Sequence, residues 1–326
     1  MKGKYVSETI LKMLLLLFAV TILSFILITK APIDPLTSYI GSESTLSPAA
    51  RQQIADYWGL NQPLVQRYFT WLGNIFRGDF GMSITYKRPV IDVIGERFSA
   101  SLVLMLLAWL CSGVLGFFLG MASGKHKGSV FDKITQGFCL VLQSTPTFWI
   151  GILFLELFSV TLGWFPLGMS VPMGVLASQV TLGDRMYHLF LPFFTLTVIS
   201  LGKITLYTRQ KYIEEMNNDY ILFAKARGES SRQILNRHIM RNIALPAVTV
   251  QFASFSELFG GMTLAETVFS YPGIGTATTA AATHGDVPLL LGITLFSALF
   301  VFTGNLIANL LYGVLDPRMR EGALHA

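Results

Sequence analysis

The sequence predicts an all-α membrane protein that crosses the bilayer six times. Hydrophobic residues make up 52% of the 326-residue chain and charged residues only 13%, against about 25% charged in ordinary globular proteins. Mean hydropathy is +0.55. Six apolar runs each reach the roughly 20 residues that a helix needs to cross hydrocarbon. A surface this poor in charge cannot face water on all sides. Lipid is therefore the expected solvent for much of it, with backbone amides paired inside helices.

The first span covers Thr9 to Thr29 and the second Ala100 to Ser123. The third covers Ile134 to Gly163, with a bend expected at Pro146. The fourth runs from Tyr187 to Tyr207, the fifth from Ile243 to Phe269 and the sixth from Pro288 to Leu315. Lys2 and Lys4 ahead of the first span suggest a signal peptide, but the apolar run is long and Lys30, Ala31 and Pro32 follow it. Residues 1–30 are expected to be an uncleaved anchor.

Residues 31–97 form the largest piece outside the spans. SPAARQQIADYWGL reads as a helix capped by Ser47 and opened by Pro48. Tyr57, Trp58, Tyr68, Phe69 and Trp71 give the segment apolar material to bury. A small extracytoplasmic cap between helices 1 and 2 is expected, followed by a five-helix core over 98–326 with a cytoplasmic loop at 208–243.

Lys and Arg set the orientation. With the N-terminus inside, the cytoplasmic segments hold fifteen of them, seven between Arg209 and Arg241. The short external loops, 164–186 and 270–287, hold only Arg185. Both termini are thus expected in the cytoplasm. The net charge of +5 follows this membrane asymmetry and does not predict nucleic-acid binding.

Gly116, Gly120 and Gly124 repeat at four-residue spacing, the pattern that lets two helix backbones approach closely. Ordinary enrichment of glycine in membranes explains it equally well. Cys111 and Cys139 lie in apolar runs and read as small buried residues. GMASGKH, residues 120–126, is the nearest thing to a P-loop, but position 119 is Leu and His126 follows Lys125. Spacing and final residue both fail, so ATP hydrolysis is expected in another chain.

Charged residues inside spans are candidate pathway residues. Glu156 falls mid-span three and Glu257 mid-span five, while Lys203 lies toward the cytoplasmic end of span four and can snorkel. Interhelical hydrogen bonding competes with the pathway reading. Glu266, in ETVFSYPGIG, falls near the external mouth, where it is a candidate for a gate. His284 and Asp286 are too isolated to form a metal site, and no metal ligand set is expected.

The loop EEMNNDYILFAKARGESSRQILNRHIMRNIALP carries the most information. Asp219 begins a short helix former-rich stretch, and Gly228 sits where a helix C-cap wants positive φ. Ser230 and Gln233 form a capping box that opens a second helix leading to Pro246. A short helix bearing Lys225 and Arg227 among alanines fits a partner's groove. A solvated basic loop is the plain alternative, and the ordered Gly and capping signals favour docking.

This loop resembles the EAA-type loop of binding-protein-dependent ABC importer permeases, in the dipeptide, oligopeptide and nickel branch. Asp219, Tyr220, Ala224, Ala226, Gly228, His238, Arg241, Asn242 and Pro246 follow its order and spacing, although Phe223 stands where the name-giving glutamate belongs. GLNQPLVQRY, GDFGMSITYKRPV, STPTFW, ETVFSYPGIG and LDPRMR are similar to other stretches of these permeases. The resemblance implies the type I importer permease fold and an inner-membrane location. It implies a second homologous permease, two ABC ATPase subunits that hold ATP and magnesium, and an extracytoplasmic substrate-binding protein. It makes the helix near Tyr220–Ala226 the coupling helix, with Lys225 and Arg227 at the ATPase. The chain itself is then neither an enzyme nor a cofactor carrier.

The tail DPRMREGALHA resembles the end of nickel permeases and directs the substrate expectation toward nickel or a metal chelate, with dipeptides or oligopeptides as the alternative. An ion-gradient secondary transporter is the competing class, but it favours inverted repeats, and none is clear in the sequence. Gly228→Asp, or deletion of 222–228, is expected to abolish transport while insertion persists.

Overall fold

A computed structural model describes residues 2–30, 47, 49, 52, 62–176 and 178–315, with side chains from position 10 to 308. Apart from isolated positions, the helix expected from Ser47 and Pro48 lies outside these residues, as does the tail DPRMREGALHA. The described residues are almost wholly helical, with one isolated β-bridge between Met82 and Pro89. The helices are α1 (Lys2–Thr29), α2 (Leu64–Phe76), α3 (Val90–Lys125), α4 (Val130–Ser144), α5 (Thr147–Phe154, continued by a π-helical segment Leu155–Thr161), α6 (Leu182–Met216), α7 (Asp219–Ala226), α8 (Ser231–Ile234, continued by a π-helical segment Leu235–Ile239), α9 (Met240–Ala253), α10 (Phe255–Val268), α11 (Ile274–Thr283) and α12 (Val287–Leu315).

Four helices, α1, α3, α6 and α12, are individually long and apolar enough to cross a membrane. Two bent pairs pass the same test only when each is taken together, which brings the count among the described residues to as many as six. The third span bends by 110° between α4 and α5, and the fifth by 50° at Ser254. The first break is sharper than a bent helix because Pro146 forces Thr145 into extended backbone (φ −99°, ψ 130°). Pro146 then caps the next helix.

The chain divides into two compact units, residues 1–100 with 272–302, and 101–271 with 303–326. In the first, Val90, Val93 and Ile94 of α3 pack on Ile274, Ala277 and Ala281 of α11 and on Leu289 and Ile293 of α12. Phe25, Tyr68 and Leu291 form a second cluster, where the Tyr68 and Thr21 hydroxyls lie 2.8 Å apart. The stretch GDFGMSITYKRP folds back on itself, with Gly78, Gly81 and Lys87 at positive φ. Fully buried Asp286 fixes this turn. It accepts from Ser83 Oγ at 2.6 Å, Thr85 N at 2.9 Å and Leu289 N at 3.1 Å. The carboxylate thus caps α12 and anchors the turn through three donors. Asp286→Ala leaves buried donors without an acceptor and is expected to destabilise the first unit by about 3 kcal/mol. A lowered thermal midpoint and faster proteolysis within 78–89 are the measurements.

In the second unit α3 runs against α6. A Cβ at Gly116 would lie 2.9 Å from Leu201 O, and one at Gly120 only 2.5 Å from Thr205 O. One at Gly124 would lie 2.9 Å from Tyr212 Cβ. The glycine stripe is therefore a helix seam. Asp132 of α4 closes it at one end. It accepts from Arg209 Nε at 2.5 Å and Nη2 at 2.8 Å, from Ser123 Oγ at 2.6 Å and from Gly128 N at 2.8 Å. Cys139 is buried and Cys111 half-buried, both as free thiols.

Candidate functional site

The loop between the fourth and fifth spans is an ordered structure. Asn218 is the extended N-cap of α7, and Asp219 sits in its first turn, where the helix dipole favours negative charge. Ile221 and Ala224, three apart and so on one face, are buried at 0% and 3% exposure. They pack with Met121, Tyr212, Ile234, Ile239 and Ile243. The opposite face presents Leu222 at 66% and Phe223 at 69% exposure, beside exposed Lys225 and Ala226. The structure thus corrects the sequence reading in one respect. Ala224 faces inward, and large apolar side chains rather than alanines dominate the outward face. Helical periodicity around the buried Ile221 is the signal that was available.

Gly228 ends the helix at φ +81°. Its N–H reaches Lys225 O at 2.9 Å, and the N–H of Glu229 reaches Ala224 O at 3.1 Å, the paired bonds of a Schellman cap. Ser230 and Gln233 then form the expected capping box, with Ser230 N donating to Gln233 Oε1 at 2.8 Å. Glu229 sits between Arg227, at 2.7 Å, and His238 Nε2, at 3.0 Å. The hydrogen bond with His238 holds the Glu229 carboxyl below its usual range, and Arg227 adds to this. Tyr220 donates to Glu215 and receives Asn242 Nδ2 at 3.1 Å. Burial, and then this bond to Glu215, raise its phenol pKa. Tyr220, Gly228, His238 and Asn242 therefore pin α7 from behind. Arg227 is exposed and braces the corner. Arg241 is exposed and makes no side-chain bond among the described residues. Pro246 lies within α9.

The acids inside spans separate into three situations. Glu266 of α10 is fully buried, accepts from Ser101 Oγ at 2.5 Å and shares the interior of the unit. Glu156 is exposed in the π-helical segment. Glu257 is exposed in the first turn of α10 and pairs with Lys203 of α6 at 2.7 Å. Sequence reasoning did not single out Asp132, Arg209, Glu215 or Glu229, whose partners are distant in sequence or ordinary in composition.

A charge-poor chain with four long apolar helices, two bent apolar pairs and a pinned short helix defines a polytopic membrane protein. The family described as "Binding-protein-dependent transport system inner membrane component" matches residues 114–321. Its N-terminal counterpart matches residues 3–105. The chain belongs to this family and is a multi-span inner-membrane transport component. It is 34% identical over 316 residues to the oligopeptide transport system permease protein AppB of Bacillus subtilis, covering 97% of this chain and 98% of that one. It is 33% identical over 319 residues to the di/tripeptide transport system permease protein DppB of Pseudomonas aeruginosa, covering 93% and 95%. Among solved structures it is similar to an inward-facing MetNI methionine ABC transporter, with a TM-score of 0.47, 14% identity, and coverage of 68% of this chain and 97% of that one. Both named permease relatives carry peptide cargo in their names, and neither carries nickel. The nickel expectation finds no support in them.

Proposed function

We propose that the chain is the permease subunit of an ATP-driven peptide importer. In this reading it pairs with a second homologous permease, two ABC ATPases below the membrane and a peptide-binding protein outside. Both termini and α7 are cytoplasmic. The peptide names of relatives that match nearly the whole chain support the cargo. The single observation that carries the mechanism is α7 itself. It is a rigid helix outside the spans that turns Leu222 and Phe223 outward, and such exposed apolar side chains suit a groove in a partner. The bonds among Glu215, Tyr220 and Asn242 stiffen it, so closure of the ATPases would move the bundle and switch it between inward-open and outward-open states.

Deletion of 222–228 is the direct test. Uptake is expected to fall below about a tenth, the ATPases are expected to stop co-purifying, and the chain is expected to remain in the membrane, as loss of a central apolar anchor predicts. Gly228→Val is the sharper point substitution. Open space surrounds Gly228, so only its backbone resists replacement, and Asp or Asn enters positive φ more readily than a β-branched residue. Unchanged uptake and ATPase association in the deletion would sink the coupling role. Transport by the purified chain alone would favour an ion-gradient carrier instead.

A further inference from the structure

We propose that the exposed Lys203–Glu257 ion pair is a cargo subsite that holds the two charged ends of a short peptide on its way through the membrane. The inference rests on the peptide-importer reading and adds a place and a chemistry to it. Lys203 and Glu257 meet at 2.7 Å, with 47% and 70% of their side chains exposed. Lys203 lies well inside the 35-residue helix α6. Glu257 lies three residues past Ser254, at the 50° break of the fifth span. Helix breaks at membrane depth are tolerated where the backbone is buried in protein or lines a water-filled cavity.

The surroundings decide between lipid and water. Along the middle of α3, from 101 to 124, the exposed side chains are Val103, Leu106, Leu110, Val114, Leu115 and Phe118, as a lipid-facing stretch requires. On α6 the outward stripe is Ser200, Lys203, Tyr207, Gln210 and Glu214, half-exposed or exposed, at alternating spacings of three and four. That is one face of the helix, polar from 200 to 214, whereas nearer the N-terminus of α6 the exposed side chains include apolar Leu182, Met186 and Phe190. Gln143, exposed on α4, flanks it: a Cβ at Gly202 would lie 3.6 Å from the Gln143 side chain. Thr147 flanks the α10 side, 3.5 Å from a Cβ at Gly261. Ionisable groups turned toward hydrocarbon are costly, and those retained face a bundle interior or a water-filled cavity.

A surface that only had to be wet needs hydroxyls and amides. This one carries an ammonium and a carboxylate side by side, complementary to a molecule that bears one charge of each sign. A free peptide is such a molecule. Its terminal carboxylate takes Lys203 and its terminal ammonium takes Glu257. The ends of an extended di- or tripeptide lie roughly 7–10 Å apart, and the flexible lysine stem lets the pair part to receive them. The 2.7 Å contact means that neither charge stands alone when no cargo separates the pair. Because both contacts go to termini, the subsite reads any short peptide regardless of side chains.

The test uses the complete importer in proteoliposomes with its unaltered binding protein, di-, tri- and tetraalanine as cargo, and three variants: Lys203→Gln, Glu257→Gln and the double substitution. Each single substitution is expected to lower uptake about tenfold, the scale of a lost hydrogen bond to a charged group. Chain level and ATPase association are expected to hold. The double variant is expected to fall at least as far as the worse single one. Recovery in the double variant would show a pair that serves only packing and would overturn the subsite. So would unchanged uptake in the single variants. A Cys at 203 in the assembled importer is expected to react with a water-soluble thiol reagent; protection by the neighbouring permease would also overturn the subsite. If the unaltered importer moves none of these peptides, the peptide reading itself falls and takes the subsite with it.

Discussion

Gly120→Val is expected to leave almost no correctly folded protein in the membrane. A Cβ at this position would lie 2.5 Å from the carbonyl oxygen of Thr205, 2.7 Å from Thr208 Cβ and 3.1 Å from the amide nitrogen of Arg209. Two of these atoms belong to the α6 backbone and cannot rotate away. The only relief is to push α3 and α6 apart, which also opens the contacts at Gly116 and Gly124. Overpacking of a core usually costs about 1–3 kcal/mol. Here the obstacle is main chain, and the cost is expected at or above the top of that range. Small residues at helix seams supply much of the packing energy inside membranes, because lipid gives helices no hydrophobic reason to associate. Gly137→Ala is the matched control, since nothing lies within 4 Å of its added Cβ. Thermal unfolding in detergent, followed by size-exclusion fluorescence, distinguishes the two. A Gly120→Val protein with the midpoint of the unaltered chain would refute the seam.

This seam was half legible in the sequence, and the reason is instructive. Four-residue glycine spacing is a local pattern, so it names the helix face, but it does not name the partner, which lies some 85 positions away at Thr205. The same holds for α7. Gly228 at a C-cap and the Ser230–Gln233 box are contacts within a few residues, and the structure places both as read. The pins of that helix are not local: Tyr220 meets Asn242 across 22 positions. Apolar runs marked the four long helices and the two bent pairs, yet hydropathy averages over a window and cannot distinguish a bent helix from two helices at 110°. It was Pro146 and its effect on Thr145 that carried that information. Glu156 and Glu257 looked equivalent as lone mid-span acids, and Glu266 read as a residue of the external mouth. Their different situations depend on which face each helix buries, and only packing sets that.

Asp132 shows the largest effect hidden by sequence distance. It reads as one of several charges flanking a span, 77 positions from Arg209. In the fold it is 1% exposed and receives both nitrogens of a bidentate guanidinium, the Ser123 hydroxyl and the Gly128 amide. One carboxylate thereby ties α3, α4 and α6 at the end of the glycine seam. Asp132→Ala removes the anion and leaves Arg209, itself 14% exposed, without its carboxylate. Breaking such a pair from one side costs about 3–5 kcal/mol, whereas removing both charges is often close to neutral. The single variant is therefore expected to lose most of its thermal stability, and Asp132→Ala with Arg209→Met is expected to regain a substantial part of it. A double variant no better than the single one would mean that the Ser123 and Gly128 bonds, rather than the ion pair, hold the three helices. Those two bonds also end on an ionised carboxylate and are worth about 1.5–3 kcal/mol each, so the recovery in the double variant, rather than the size of the single loss, separates the ion pair from them.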